Sequence, residues 1–103
     1  MKPLEIYIAY VAWESGGKRR PVLIIAESVD SVTAFSITTR YEDKSGSIRA
    51  GYFLINEWQK AGLDRPSFVD TNRAVAVPKT AVDNHIGKLT ATDAARLLEF
   101  IRQ

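Results

Sequence analysis

The sequence predicts a mainly β (α+β) fold, a small twisted barrel with helical additions late in the chain. Three observations carry this. Short β-branched and aromatic runs recur between turn signals through most of the chain. Two of these runs are rich in apolar residues and read as central strands. Strong helical periodicity is confined to the last dozen residues. With 103 residues the chain has the length of one ordinary domain.

The elements follow in order. Residues 4–12, LEIYIAYVA, read as a strand with Leu4, Ile6, Ile8 and Tyr10 on one face. The stretch 13-WESGGK-18 reads as a loop, and 20-RPVLIIAE-27 as a central strand. Pro21 belongs at the start or edge of that strand, because it has no N–H for a ladder bond. Residues 31-SVTAFSITT-39 form the next strand, and 40-RYEDKSGS-47 a polar hinge or mobile loop. A strand is expected over 49–55 and a two-turn helix over 56-NEWQKAGL-63, capped by Asn56 and ended by Gly62 in the left-handed region. One or two short strands fall in 66–78, a helical turn in 79–82 and a strand in 84–89. The closing helix spans 91–102. Thr90 and Asp93 make a capping-box pattern there, and Ala94, Leu97, Leu98 and Ile101 its apolar stripe.

Composition narrows the chemistry. The chain is 46% hydrophobic and 25% charged, as a globular protein is. It has no cysteine, so disulfides and thiolate metal sites are excluded, and its one histidine excludes a multi-histidine metal site. No cofactor motif is present: neither a P-loop nor a G-x-G-x-x-G pattern occurs. No apolar run approaches a membrane span and no signal-peptide core leads the chain, so the expectation is a cytoplasmic protein with no membrane association. The net charge of +2 is too small to steer an anion, so anion binding must come from local clustering.

Three polar clusters sit at strand ends. The first is Lys18-Arg19-Arg20, preceded by Gly16 and Gly17. Glycines let the backbone approach an anion, and Pro21 restricts the conformation of Arg20. Successive strand side chains point to opposite faces, so one of Arg19 and Arg20 is expected towards a site and the other outward. The same run also suits a solvated turn whose alkyl stems cover a barrel end. The second cluster is Thr38-Thr39-Arg40, also explained by the β-propensity of threonine. The third is Ser67 with Asp70, Thr71, Asn72 and Arg73, which also suits a turn closed by its own side chains. Arginine, lysine and hydroxyl groups together suit phosphate esters. Trp13 is a candidate for stacking on a base, or equally for packing against the barrel. His85 has no candidate partner close in sequence and reads as structural.

The chain resembles the MazF/PemK-like toxins of bacterial toxin–antitoxin systems. The resemblance rests on 5-EIYIAY-10, 20-RPVLII-25, 36-SITT-39, 57-EWQKAGL-63 with 66-PS-67, 69-VDTNR-73 and 86-IGKLTATD-93, in that order. It implies one toxin domain over residues 1–103, with an SH3-like barrel and helices, forming a homodimer. It also implies metal-independent, sequence-specific cleavage of single-stranded RNA, and an antitoxin partner whose flexible C-terminal segment lies across the RNA groove. The family's catalytic arginine maps onto Arg20 and its catalytic threonine onto Thr38. Lys18, Arg19, Thr39, Arg40, Ser67, Arg73 and Trp13 are the candidates for substrate binding. Leu4 stands where many members carry glycine, a departure expected to touch only the first turn.

Two other readings remain at this level. A gyrase poison on a related fold acts through a C-terminal Trp-Gly-Ile, and this sequence ends in 100-FIRQ-103. A non-catalytic SH3-like module would bind RNA or peptide without cutting it.

Overall fold

In a computed structural model of the chain, the backbone of residues 1–103 is described, with every side chain except that of Trp13. The expected stacking role of Trp13 therefore lies outside the described residues. Seven strands form one antiparallel sheet: β1 (Glu5–Trp13), β2 (Gly16–Glu27), β3 (Ser31–Thr38), β4 (Tyr52–Leu54), β5 (Phe68–Asp70), β6 (Val75–Pro78) and β7 (Val82–Lys88). Their order is β4-β5-β3-β2-β1-β7, and β6 also pairs with β3. Two α-helices complete the α+β fold, α1 (Gly46–Arg49) and α2 (Ala91–Arg102), with a 3-10 turn over Lys79–Ala81.

The strands β1 and β2 are joined by a two-residue turn, since Trp13 pairs with Gly16. The basic run thus lies inside β2, with Lys18 opposite Val11, Arg19 opposite Tyr10 and Arg20 opposite Ala9. The loop expected over 13–18 is confined to Glu14 and Ser15, because β1 continues to Trp13 and carries β2 with it. Pro21 pairs with Ile8 within β2, not at its start. It is tolerated because the ladder from β2 to β3 begins only at Val22.

Strand β3 changes partner along its length. Val22–Ser36 is the last pair with β2, whereas Ile37 and Thr38 pair with Val69 and Phe68 of β5. Both faces of the curled sheet are buried. Ile6, Leu23, Ile37, Phe53 and Val69 meet Leu97 of α2 in one core, while Ala9, Val22, Ile24, Val32 and Val77 form the other.

The helix expected over 56–63 is instead a chain of turns, closed by Ala61 N–H to Glu57 O at 3.1 Å and Leu63 N–H to Trp58 O at 3.0 Å. Asn56 does not cap it; the Asn56 and Glu57 amides are held by the buried Asp93 carboxylate, at 3.4 and 2.8 Å. Tertiary capping replaces the local cap, and the bonds that follow are of mixed span, with Gly62 N–H to Gln59 O at 3.1 Å beside the other two, so no regular helix is set. Gly62 does take a left-handed φ of +95°, and a Cβ there would come within 2.5 Å of the Ile86 carbonyl oxygen. The short internal helix is α1, which includes Arg49, so the strand expected over 49–55 shrinks to Tyr52–Leu54.

Helix α2 has the expected bounds, and Thr90 Oγ1 accepts the Asp93 amide at 3.2 Å. Its buried stripe differs. Leu97 is buried and Phe100 packs on the core, but Leu98 and Ile101 are about half exposed, at 56% and 50%. The helix turns so that Asp93 can enter the core, and this carries Leu98 and Ile101 to the surface. Leu4 adopts φ +70°, a left-handed conformation that costs a Cβ-bearing residue about 1 kcal/mol. This is the conformation for which glycine is suited at that position. Leu4 is kept there by its amide bond to Ile24 O at 2.7 Å and by packing against the core.

Asp93 also pairs with Arg96 at 2.6 Å. Asp93→Ala should cost roughly 2–4 kcal/mol, since buried amides and a cation lose their acceptor. A lower urea midpoint at unchanged m-value would register this. Acid should destabilise as well. Glu57 is held below the ordinary carboxylate range by the Thr90 hydroxyl and then Lys60. Glu27 is lowered by Lys79 and then the amino terminus. Glu5 is lowered chiefly by the Lys2 amide. Folded-state values below unfolded ones mean that this stability is complete above about pH 5 and lost as pH falls through the lowered values. Urea midpoints should be level from pH 7 to 5 and drop towards pH 3.

Candidate nucleic-acid interface

Cross-strand partners point to the same face of a sheet. Through Val22–Ser36 and Thr38–Phe68, Arg20, Ser36, Thr38 and Phe68 share one face. Through Tyr52–Asp70, so do Tyr52 and Asp70. If the β2–β3 register ran two residues further, Arg20 would stand opposite Thr38. The ladder stops before that point, and the strands part to open a groove of about 660 Å³.

Six cations border this groove: Lys18, Arg19, Arg20, Arg40, Lys44 and Arg65. Two acids, Asp64 and Asp70, border it as well. The expectation that only one of Arg19 and Arg20 would meet the site is corrected: both border the groove. It cuts through the seam between parting strands, so residues from both sheet faces reach it. Arg20 is half-buried, while Arg19 is exposed and pairs with Asp83 of β7, reaching across β1.

Thr38 and Thr39 line the groove, and Thr38 Oγ1 accepts the Arg40 amide at 3.1 Å. Arg40 also pairs with Asp43 at 3.6 Å. Ser67 lines the groove but is 3% exposed, and its hydroxyl donates to the Arg65 carbonyl at 2.8 Å. That bond makes it a turn-forming residue. Arg73 does not line the groove. It follows a turn in which Asp70 Oδ1 accepts the Asn72 amide at 3.0 Å, so the third cluster reaches the groove through Asp70 and Ser67 only.

Lys44, Arg65 and Tyr52 were not singled out by sequence. Lys44 sits in the segment read as a hinge, which is tied down: Arg49 donates to the Tyr41 and Glu42 carbonyls and lies 5.0 Å from the Tyr41 ring centre. Tyr41 stacks on Phe68 at 4.6 Å. Tyr52 is 9% exposed, and burial, then Asp70, raises its phenol pKa, with Arg20 opposing. The phenol is therefore a hydrogen-bond donor at neutral pH. Only their spacing in β4 and in a turn, with no local motif, could have marked these residues.

His85 lies apart from the groove. Its ring stacks on Tyr7 at 4.7 Å and Nε2 is 3.0 Å from the Gly87 carbonyl oxygen. Among the described residues, no group of three or more His, Asp and Glu side chains is arranged to hold a metal ion. Nor, among the described residues, is any helix long and apolar enough to cross a membrane.

Comparison with known proteins agrees with this geometry. A family model described as PemK-like, MazF-like toxin of type II toxin-antitoxin system matches residues 2–103. Among solved structures, "Mycobacterium tuberculosis toxin MazF-mt6" is similar at 27% identity and a TM-score of 0.72, covering 94% of this chain and 91% of that one. "Crystal structure of Mtb toxin" is similar at 26% identity and a TM-score of 0.68, covering 95% and 96%. No curated protein matches. A match over nearly the whole chain, on a sheet with the same architecture, establishes that the chain belongs to the PemK/MazF-like toxin family of type II toxin–antitoxin systems.

Proposed function

We propose that this toxin is a metal-independent endoribonuclease that cleaves single-stranded RNA in the groove between β2 and β3. The observation that carries the reading is the approach of Arg20 and Thr38 from two parting strands to one groove bordered by six cations. RNA supplies its own nucleophile. The 2′-hydroxyl gives up its proton to water and its oxygen bonds to the adjacent phosphorus. The P–O5′ bond breaks, and the 5′-oxygen takes up a proton. The products are a 2′,3′-cyclic phosphate and a 5′-hydroxyl.

The protein's task is to align these atoms and to stabilise charge on the phosphorane. A guanidinium keeps its charge throughout the working pH range, so Arg20 acts as an electrostatic clamp on the scissile phosphate. Thr38 Oγ1 is fixed by the Arg40 amide, and its hydroxyl proton can donate to a phosphate oxygen or orient the 2′-hydroxyl. Lys18, Arg19, Thr39 and Arg40, with Lys44 and Arg65, track neighbouring phosphates. The antitoxin competes for this groove with a flexible C-terminal segment lying across it, and a homodimer carries two such grooves in one particle. The cytoplasm, where cellular RNA is translated, is the compartment that fits this activity.

Arg20→Ala should lower cleavage of a long, diverse transcript in EDTA by at least 100-fold, with an unchanged circular dichroism spectrum. An Arg20→Ala protein that cuts at the wild-type rate would refute the assignment. A wild-type protein that binds the transcript without cutting it would make this a non-catalytic binding module. Lys44→Ala and Arg65→Ala should each weaken RNA binding across sequences. Each should also reduce the slope of log K against log salt by about 0.7.

A further inference from the structure

Among the described Phe, Trp and Tyr residues, Tyr10 alone is exposed, at 46%. It shares a face of β1 with Ile8 and pairs across the strand with Arg19, and both of those border the groove. Two residues along a strand span about 7 Å, roughly the spacing of successive phosphates in an extended single strand. Tyr10 therefore lies about one such step from Ile8 on the groove's border.

Its ring has a specific support. A Cβ on Gly17 would overlap the Tyr10 phenol oxygen and ring edge. Gly17 has no positive φ, so backbone conformation does not demand glycine there; the ring does. The phenol end of the ring lies over the Gly17 backbone, and about half of the residue's surface stays exposed. The Arg19 guanidinium, held by Asp83, crosses β1 on the same face. A flat, backed aromatic ring beside cations is the arrangement on which unstacked bases settle.

We propose that Tyr10 is a base-stacking platform for the nucleotide lying just outside the groove, next to a phosphate held by Lys18 or Arg19. This rests on the reading that the groove binds single-stranded RNA. The test is equilibrium binding of a 2′-O-methyl, mixed-sequence RNA, which the protein cannot cleave, beside an abasic ribose–phosphate oligomer of equal length. Tyr10→Ala should weaken binding of the base-bearing strand about tenfold and leave the abasic strand unchanged. Tyr10→Phe should bind as the wild type does. Gly17→Ala, which displaces the ring without deleting it, should reproduce Tyr10→Ala.

Wild-type affinity in Tyr10→Ala, or an equal loss on both strands, would overturn the platform and leave the groove standing. A wild-type protein that binds neither strand would overturn the RNA reading and the platform with it. A Tyr10→Ala protein of altered oligomeric state with an unchanged affinity ratio would reassign the ring to a contact between copies.

Discussion

The groove depends on one constraint: β3 cannot keep β2 as its partner to its end. Pro21 offers no N–H at the point where the β2–β3 ladder would continue, and Ile37 and Thr38 pair instead with β5. Two strands that share one ladder up to Val22–Ser36 then diverge. Backbone that would have been closed by hydrogen bonds becomes a wall, and the side chains next in register, Arg20 and Thr38, face a gap instead of each other. A local defect in pairing is thus converted into a place where an extended chain can lie.

The charge around that gap is far more positive than the net charge of +2 suggests. Cations arrive from β2, from the segments after β3 and from the turn before β5. Several are braced by acids: Arg19 by Asp83, Arg40 by Asp43 and Arg65 by Asp64. Exposed pairs of this kind add little stability, but they limit where each side chain can go. Clustering sets the local potential, and the remaining acids elsewhere cancel it only in the total.

One wall of the groove is anchored through the start of α2. Asp93 and Thr90 at the start of α2 fasten residues 56 and 57, with Thr90 donating to Glu57 at 2.5 Å. The turn that follows passes close beneath β7, where Gly62 and Gly87 leave room for backbone to touch backbone. It then delivers Leu63, Arg65 and Ser67 to the groove. Stability and groove are coupled through that path: loosening the α2 terminus would reach Leu63, Arg65 and Ser67 before it reached Arg20 and Thr38.

Much of this was legible in the sequence, because it depends on short-range physics. Alternation placed β1 and β3 nearly to the residue, Thr90 and Asp93 marked the start of α2, and Gly62 carried its left-handed turn. The ordered motifs around Arg20 and Thr38 identified the family. Residues 56–63 have the composition of a helix yet form turns, and their first amides are held by a carboxylate of α2, distant in sequence, instead of by Asn56. Leu98 and Ile101 fit an apolar stripe yet face outward, because burying Asp93 sets the helix's rotation. Lys44, Arg65 and Tyr52 carry no motif, whereas Ser67 and Arg73 carry a suggestive one, yet Ser67 is buried with its hydroxyl already bonded and Arg73 lies off the groove. Local propensity and pattern are written into consecutive residues. Which cations meet, which hydroxyls are already bonded and where two strands part are decided by pairings between distant segments, and only the folded chain makes those.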